Sequence, residues 1–244
     1  MTRLIIATRN AHKVQEIRAV LTSSQFSYRT LNDFPGAPAV VEDAETFTGN
    51  AVKKSVELAS WLAGTPPVLA HLITGTAVDE VFCLADDSGL EVDALHGAPG
   101  VHSARFAALD TGDTANSSDQ ANNAKLLRLL ATVPAAARTA RFRCVIALTP
   151  VLLVNAAPAS PICYAQEAEL RTEVFEGTCE GRMSDAPRGQ HGFGYDPLFI
   201  PNDLAESFAE LGDEVKNRIS HRAQAVQKVR SWFDRRRSSR RPGV

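Results

Sequence analysis

Two carboxylates stand side by side at Asp86-Asp87, followed by a hydroxyl at Ser88 and a glycine at Gly89. Neighbouring acids repel, and the usual relief is a divalent cation or a shared proton. The apolar run Val81 to Ala85 ahead of them reads as a buried strand that stops at the acids, with Gly89 letting the backbone turn. Both acids then sit at a strand's carboxyl end, where open α/β sheets place their ligands. An acidic turn that merely ends a strand would present the same residues. A second group with chemical reach is Pro187-Arg188-Gly189-Gln190-His191-Gly192-Phe193-Gly194-Tyr195-Asp196-Pro197. So many glycines around aromatic rings and charges suit a backbone that approaches a ligand closely. A turn-rich connector is the plain alternative, and the aromatic residues favour a binding loop on a rigid scaffold. A third group is Lys216 with Ser220-His221-Arg222, which opens the last helix. Cationic side chains in a first turn oppose the helix dipole, and a ligand oxygen would offset that. Lys13 faces the same conflict in an earlier helix, where a phosphate would relieve it. Taken alone, it reads more simply as a surface lysine. There is no Walker GxxxxGK, nor a GxGxxG following a strand.

The elements that must position these groups are read from hydrophobic spacing. Leu4 to Ala7 is a first buried strand, turned by Thr8-Arg9-Asn10 into a helix with Val14, Ile17, Val20 and Leu21 on one face. Asn10 or Thr8 caps that helix, whose first-turn N–H groups favour an anion. Phe26 to Leu31 is a second strand and Asn32 to Val41 a proline-rich loop. The acidic run Glu42 to Glu45 precedes a helix over about 50–62, capped by Thr46 or Thr48, with Ala51, Ser55, Leu58, Ala59 and Leu62 inward. Gly64 to Val81 is long for a connection and reads as an insertion with one short element. Leu90 to Leu95 is strand-like or a short helix, and Asp119 to Ala131 is a helix. Ala140 to Leu148 and Ile162 to Phe175 read as strands joined by a long Ala- and Pro-rich hairpin loop, Pro150 to Pro161. A short strand, Leu198 to Ile200, follows the glycine-rich loop, and Ser220 caps a last helix buried through Ala223, Val226 and Phe233.

At 244 residues, with a formal net charge of -2, the chain has ample core and no charge excess that selects nucleic acid. Its four cysteines form no CxxC pair, which favours reduced, buried thiols over a disulfide framework or zinc site. The apolar run at the N-terminus is too short for a signal peptide, and no stretch approaches the roughly 18 apolar residues of a membrane span. A soluble, cytoplasmic protein is expected. Arg235 to Arg241 reads as a basic, disordered tail (residues 235–244), with nucleic-acid or membrane contact a minor alternative.

Five blocks in order resemble the inosine triphosphate pyrophosphatase family, which acts on noncanonical purine nucleotides. They are Thr8 to Lys13 with Glu16, Thr46-Phe47 with Asn50-Ala51 and Lys53, Ala85 to Arg105, Pro187 to Pro197, and Lys216 with Ser220-His221-Arg222. The resemblance implies a single domain over residues 1–234 and an α/β fold, elongated and two-lobed. A twisted mixed central sheet would be flanked by helices, with a nucleotide cleft between lobes, as a homodimer. It implies hydrolysis of ITP, dITP and XTP to the monophosphate and pyrophosphate with Mg²⁺. By position, Asp87 matches a metal ligand and proton acceptor, with Asp86 beside it. Glu42 matches a second metal ligand, and Lys53 a lysine near the phosphates. Thr8, Arg9, Asn10, Ala11, His12 and Lys13 look like the phosphate-side loop, and Ser88 like a substrate contact. Phe193, Gly194, Tyr195, Asp196, Lys216, His221 and Arg222 match base recognition. Gly49 departs from the family by standing where a glutamate is common, and Arg9 replaces a frequent glycine. His102 and Phe106 replace common tyrosines, and Ala108 a frequent glycine. A related pyrophosphatase acting on modified pyrimidines, and a nucleotide-sensing module without turnover, are the rival readings.

Overall fold

The structure, a computed structural model, describes residues 1–73, 78, 80–112, 115–152 and 161–240. A six-stranded mixed sheet runs in the order β2-β1-β3-β4-β5-β6. Its strands are β1 (Thr2–Ile6), β2 (Phe26–Thr30), β3 (Glu80–Val92), β4 (Thr139–Pro150), β5 (Glu173–Met183) and β6 (Phe199–Pro201). The helices are α1 (Ala11–Val20), α2 (Phe47–Ala63), α3 (Pro66–Ile73), α4 (Asp119–Leu130), α5 (Pro161–Leu170), α6 (Phe208–Ile219) and α7 (His221–Arg240). Among the described residues no helix is long and apolar enough to cross a membrane.

The chain forms two compact units, one of residues 1–87, 145–175 and 229–244, the other of residues 88–144 and 176–228. In the first, β1 pairs in parallel with β2 on one side and with β3 on the other, Ile6 lying opposite Thr30 and Leu84. The chain therefore reverses its direction of travel across the sheet between β1 and β3, and their carboxyl ends form a switch point. The unit's core packs Ile5, Leu58, Leu62, Leu72, Cys83 and Val151. In the second unit β5 and β6 are antiparallel, and Leu90, Leu126, Phe142, Leu198, Phe199 and Phe208 form the core.

Local chemistry sets the helix starts. The Asn10 Oδ1 accepts from the His12 and Lys13 N–H groups at 2.9 and 3.2 Å, and the Thr46 Oγ1 accepts from Gly49 N at 3.0 Å. Ser118 and Ser207 cap α4 and α6, Ser207 through a reciprocal box with Glu210. The Ser220 Oγ accepts from Ala223 N at 3.2 Å in the first turn of α7.

Four expectations change. β3 does not stop at the acids: it continues from Val81 through Asp86, Asp87 and Gly89 to Val92, and Gly89 is not among the glycines with positive φ. The stretch Ile162 to Leu170 is helical within α5, and the strand begins only at Glu173. Its Ala- and Glu-containing sequence supports a helix as readily as a short apolar strand. The Ser-x-x-Glu start at Ser207 announces α6, which hydrophobic spacing alone did not. Arg235 to Arg240 continue α7 rather than fray, and Arg236 is held by Glu80 and stacks on Trp232 at 5.0 Å. The proposed hairpin loop falls largely at 153–160, outside the described residues. The long connection at Gly64 does contain a short element, α3.

Gly177 shows how tightly β5 meets the start of α7. A Cβ there would lie 2.0 Å from the His221 carbonyl oxygen and 2.7 Å from Ala225 N, both backbone atoms that cannot swing aside. Gly177→Ala is expected to destabilise the protein by about 3 kcal/mol or more, read as a lower denaturation midpoint. An unchanged midpoint would contradict this packing.

Candidate active site

The carboxylates are buried inside a strand, which isolated charges do not tolerate. Asp86 is 3% and Asp87 6% exposed. Their partners come from the two helices whose starts the caps define. Lys13, in the first turn of α1, forms an ion pair with Asp86. Lys54, on α2, donates to the Asp87 Oδ1 at 3.0 Å, to the Asp86 carbonyl at 2.9 Å and to the Glu42 Oε2 at 3.0 Å. Asn50, one turn earlier, ties the acidic loop down: its Oδ1 accepts from Ala44 N at 3.0 Å and its Nδ2 donates to Ala44 O at 3.3 Å. Thus one turn of α2 sets both the lysine and the loop that carries Glu42.

The cluster holds three carboxylates, Asp86, Asp87 and Glu42, around the ammonium groups of Lys13 and Lys54. Burial pushes the Asp87 carboxyl up to about 6, against the pull of Lys54 and Lys13 and with the push of Glu42. For Glu42, burial acts upward too, but Lys54, the Asp87 carboxyl and Lys13 outweigh it and hold the group below its ordinary range. Burial disfavours the charged form of Lys54, while Asp87, Glu42 and Asp86 more than compensate and raise it. The buried Asp87 Oδ2 has no hydrogen-bond partner.

These features suit a hard cation. Mg²⁺ takes oxygen ligands, is commonly held by one or two carboxylates, and completes its shell with water and substrate phosphates. Asp87, with its unsatisfied buried oxygen, and the adjacent Glu42 offer such a pair. Among the described residues no group of three or more His, Cys, Asp or Glu side chains is arranged to hold a metal by itself.

The rest of the phosphate-side loop divides by role. Thr8 accepts from Asn10 N at 3.1 Å, and Asn10 spends its side chain on the cap. Arg9, Ala11 and His12 are exposed at the helix start. Lys53 is not brought to the carboxylates: its ammonium pairs with Asp43 at 2.7 Å on the surface, its side chain 32% exposed against 11% for Lys54. Lys54 is the residue that sequence reasoning passed over. A signal was present, because Lys54 stands three residues after Ala51 and four before Leu58, on the inward stripe, whereas Lys53 shares its face with Glu57. A hollow of about 590 Å³ lined by Ala11, Val14, Arg18, Thr30 and Asn32 contains none of the carboxylates.

The second unit carries the remaining site residues. The Asp196 Oδ2 accepts from Phe193 N at 2.9 Å and from the Lys216 ammonium, both charges being buried. That ammonium lies 4.5 Å from the centre of the Phe193 ring, and the Arg222 guanidinium 5.8 Å from it. Arg222 donates to the Ser88 Oγ at 2.7 Å. His221 stacks on Phe142 with ring centroids 4.7 Å apart. Tyr195 is buried, its hydroxyl donating to the Ser103 carbonyl at 2.9 Å, so its side chain tethers the loop rather than facing a ligand. Gly192 needs its glycine twice over, with φ of 76° and an added Cβ only 2.1 Å from the Asp196 Oδ2. Phe193, Asp196, Lys216 and Arg222 thus form one cluster joined to Ser88, and His221 belongs to the aromatic core beside it.

The Ham1 family model matches residues 4–232 of this chain. A dITP/XTP pyrophosphatase of Geobacter sulfurreducens is 43% identical, covering 93% of this chain and 94% of its own. Its counterpart from Desulforamulus reducens is 42% identical over 96% of each. Among solved structures, a HAM1 protein from Coxiella burnetii is similar with a TM-score of 0.71 and 30% identity, covering 96% of this chain and all (100%) of its own. A nucleoside-triphosphatase, also titled dITP/XTP pyrophosphatase, from Mycobacterium abscessus is similar with a TM-score of 0.61 and 34% identity, covering 93% and 98%.

The raised Asp87 group has a measurable cost. An acid whose folded value lies above its unfolded one contributes fully below the unfolded value, and that contribution is lost as pH rises through the folded value, here about 6. Without added metal, Asp87→Asn is therefore expected to be more stable than wild type at pH 7.5, by up to about 3 kcal/mol. The difference should close as pH falls from 6 to 4 in denaturant titrations. A variant less stable than wild type at pH 7.5 would contradict the assignment.

Proposed function

This chain belongs to the Ham1 family, and we propose on that premise that it hydrolyses dITP, XTP and ITP to the monophosphate and pyrophosphate. The observation that carries the reading is a buried carboxylate, Asp87, near its proton-exchange range and flanked by two lysines at the switch point of β1 and β3. A general base works best when its pKa is close to the working pH. The curated relatives named dITP/XTP pyrophosphatase match along nearly the whole chain, which supports the same substrate class.

Asp87 accepts the proton of the attacking water as its oxygen bonds to the α-phosphorus. The bond from that phosphorus to the α–β bridging oxygen breaks, and pyrophosphate leaves. Lys13 and Lys54 set positive charge against the phosphates, where a pre-oriented cation acts without reorganising. Asp87 and Glu42 would hold Mg²⁺, which when bound supplies charge neutralisation and orientation of the phosphates. The base is assigned to the Phe193 ring, with Lys216, His221 and Arg222 as donors toward the 6-oxo group. An adenine amino group in that place would leave buried donors unpaired, a strong basis for discrimination.

Magnesium, a homodimer and a cytoplasmic setting are parts of the same proposal. The buried thiols Cys83, Cys144 and Cys179 support a reducing compartment. The dimer rests on the family resemblance, and sedimentation tests it.

With dITP and Mg²⁺ the products are expected to be dIMP and pyrophosphate. Asp87→Asn and Lys54→Met are each expected to lower kcat/KM by about a hundredfold or more, and Lys53→Met by less than about threefold. Activity with Mg²⁺ should fall at acid pH as Asp87 protonates, with a midpoint below the value of about 6 expected for the metal-free group. Orthophosphate as product, a preference for modified pyrimidines, or undiminished turnover in Asp87→Asn would each overturn the reading.

A further inference from the structure

The Phe193 loop is gripped by α4, an element whose own residues have been given no role in the site above. The Asp119 Oδ2 accepts from Gly194 N at 2.7 Å, and the Asn123 Nδ2 donates to the Gly194 carbonyl at 2.9 Å. Asp119 and Asn123 stand four residues apart, on one face of the helix. Together they fix the peptide planes on both sides of Gly194, which has a φ of 63°. The plane before Gly194 carries the Phe193 carbonyl, and Phe193 N is itself held by Asp196 at 2.9 Å. The backbone of Phe193 is therefore pinned at both ends, which fixes the direction in which its Cα–Cβ bond carries the ring.

Asn123 does this at a cost. Its Oδ1 is buried and has no hydrogen-bond partner. A buried acceptor with no partner in the protein is unfavourable to the fold. Its amino group does one identifiable thing, which is to hold Gly194.

We infer that Asp119 and Asn123 are positioning residues for base recognition: through Gly194 they aim the Phe193 ring at the purine and so set affinity for the base without touching the phosphates. The inference rests on the proposed role of Phe193. Rigid placement matters because stacking and the 6-oxo contacts must be satisfied together, and a loosened loop lets a wrong base adjust.

The test compares Asn123→Ala, Asp119→Ala and Asp119→Asn with Phe193→Ala in the full chain. Each alanine variant on α4 is expected to raise KM for dITP about tenfold with kcat changed less than about threefold, and to narrow the preference for dITP over dATP. Asp119→Asn keeps an acceptor oxygen for Gly194 N and should restore wild-type behaviour. Inhibition by inorganic tripolyphosphate, which has no base, should be unchanged in all of them. Wild-type KM and preference in both alanine variants, with Phe193→Ala impaired, would overturn the inference and leave the function standing. If Phe193→Ala is also unimpaired, the base assignment itself fails. Weakened tripolyphosphate inhibition would make the role generally structural and also overturn it. Should Asn123→Ala not fold, Asp119→Ala, at an exposed position, decides.

Discussion

Burying two adjacent carboxylates in the middle of β3 is the constraint on which the first unit depends. Each charge taken out of water costs several kcal/mol unless paired, and here the pairing is supplied by side chains far apart in sequence. Lys13 comes from the first turn of α1 and Lys54 from the second turn of α2, so β1, the turn after it, the acidic loop and both helix caps must all be in place. Lys54 is the hinge of this arrangement because one ammonium reaches Asp87, Glu42 and the Asp86 carbonyl at once. The buried Asp87 Oδ2 is left without a hydrogen-bond partner, and that oxygen is what makes the cluster receptive to a cation.

The second unit meets an analogous requirement with the opposite sign. Lys216 and Arg222 are both buried, with Asp196 as the carboxylate partner of Lys216 and the Ser88 hydroxyl as a neutral partner of Arg222. Buried cations set around an aromatic ring favour an electron-rich oxygenated edge over an amino group. Glycine allows this close arrangement at Gly192, where no side chain fits beside Asp196.

Much of this was legible in the sequence where local chemistry decides structure. The caps at Asn10, Thr46 and Ser220 and the stripes of α1, α2 and α4 follow from residue types at helical spacing. The five-block resemblance brought out the family, which the match over residues 4–232 establishes. Less legible was whatever tertiary pairing decides. An acidic pair inside a strand reads as a strand end, because Lys13 and Lys54, which pair with the acids and so make burial tolerable, are distant in sequence. Lys53 and Lys54 are adjacent in sequence, yet about 100° apart around the helix, and the inward stripe through Ala51 and Leu58 separates them. Tyr195 read as a ligand contact because the loop is rich in aromatics, but its hydroxyl finds the Ser103 carbonyl inside the protein. For Ile162 to Leu170, a short apolar run supports strand and helix alike.

The most direct measurement is the carboxyl ¹³C titration of Asp87, with and without Mg²⁺. Asp87 is expected to titrate near 6 in the metal-free protein, well above an ordinary aspartate, and to move to lower pH when Mg²⁺ is added. An ordinary value near 4 that Mg²⁺ leaves unmoved would contradict a buried, cation-seeking carboxylate at the centre of this site.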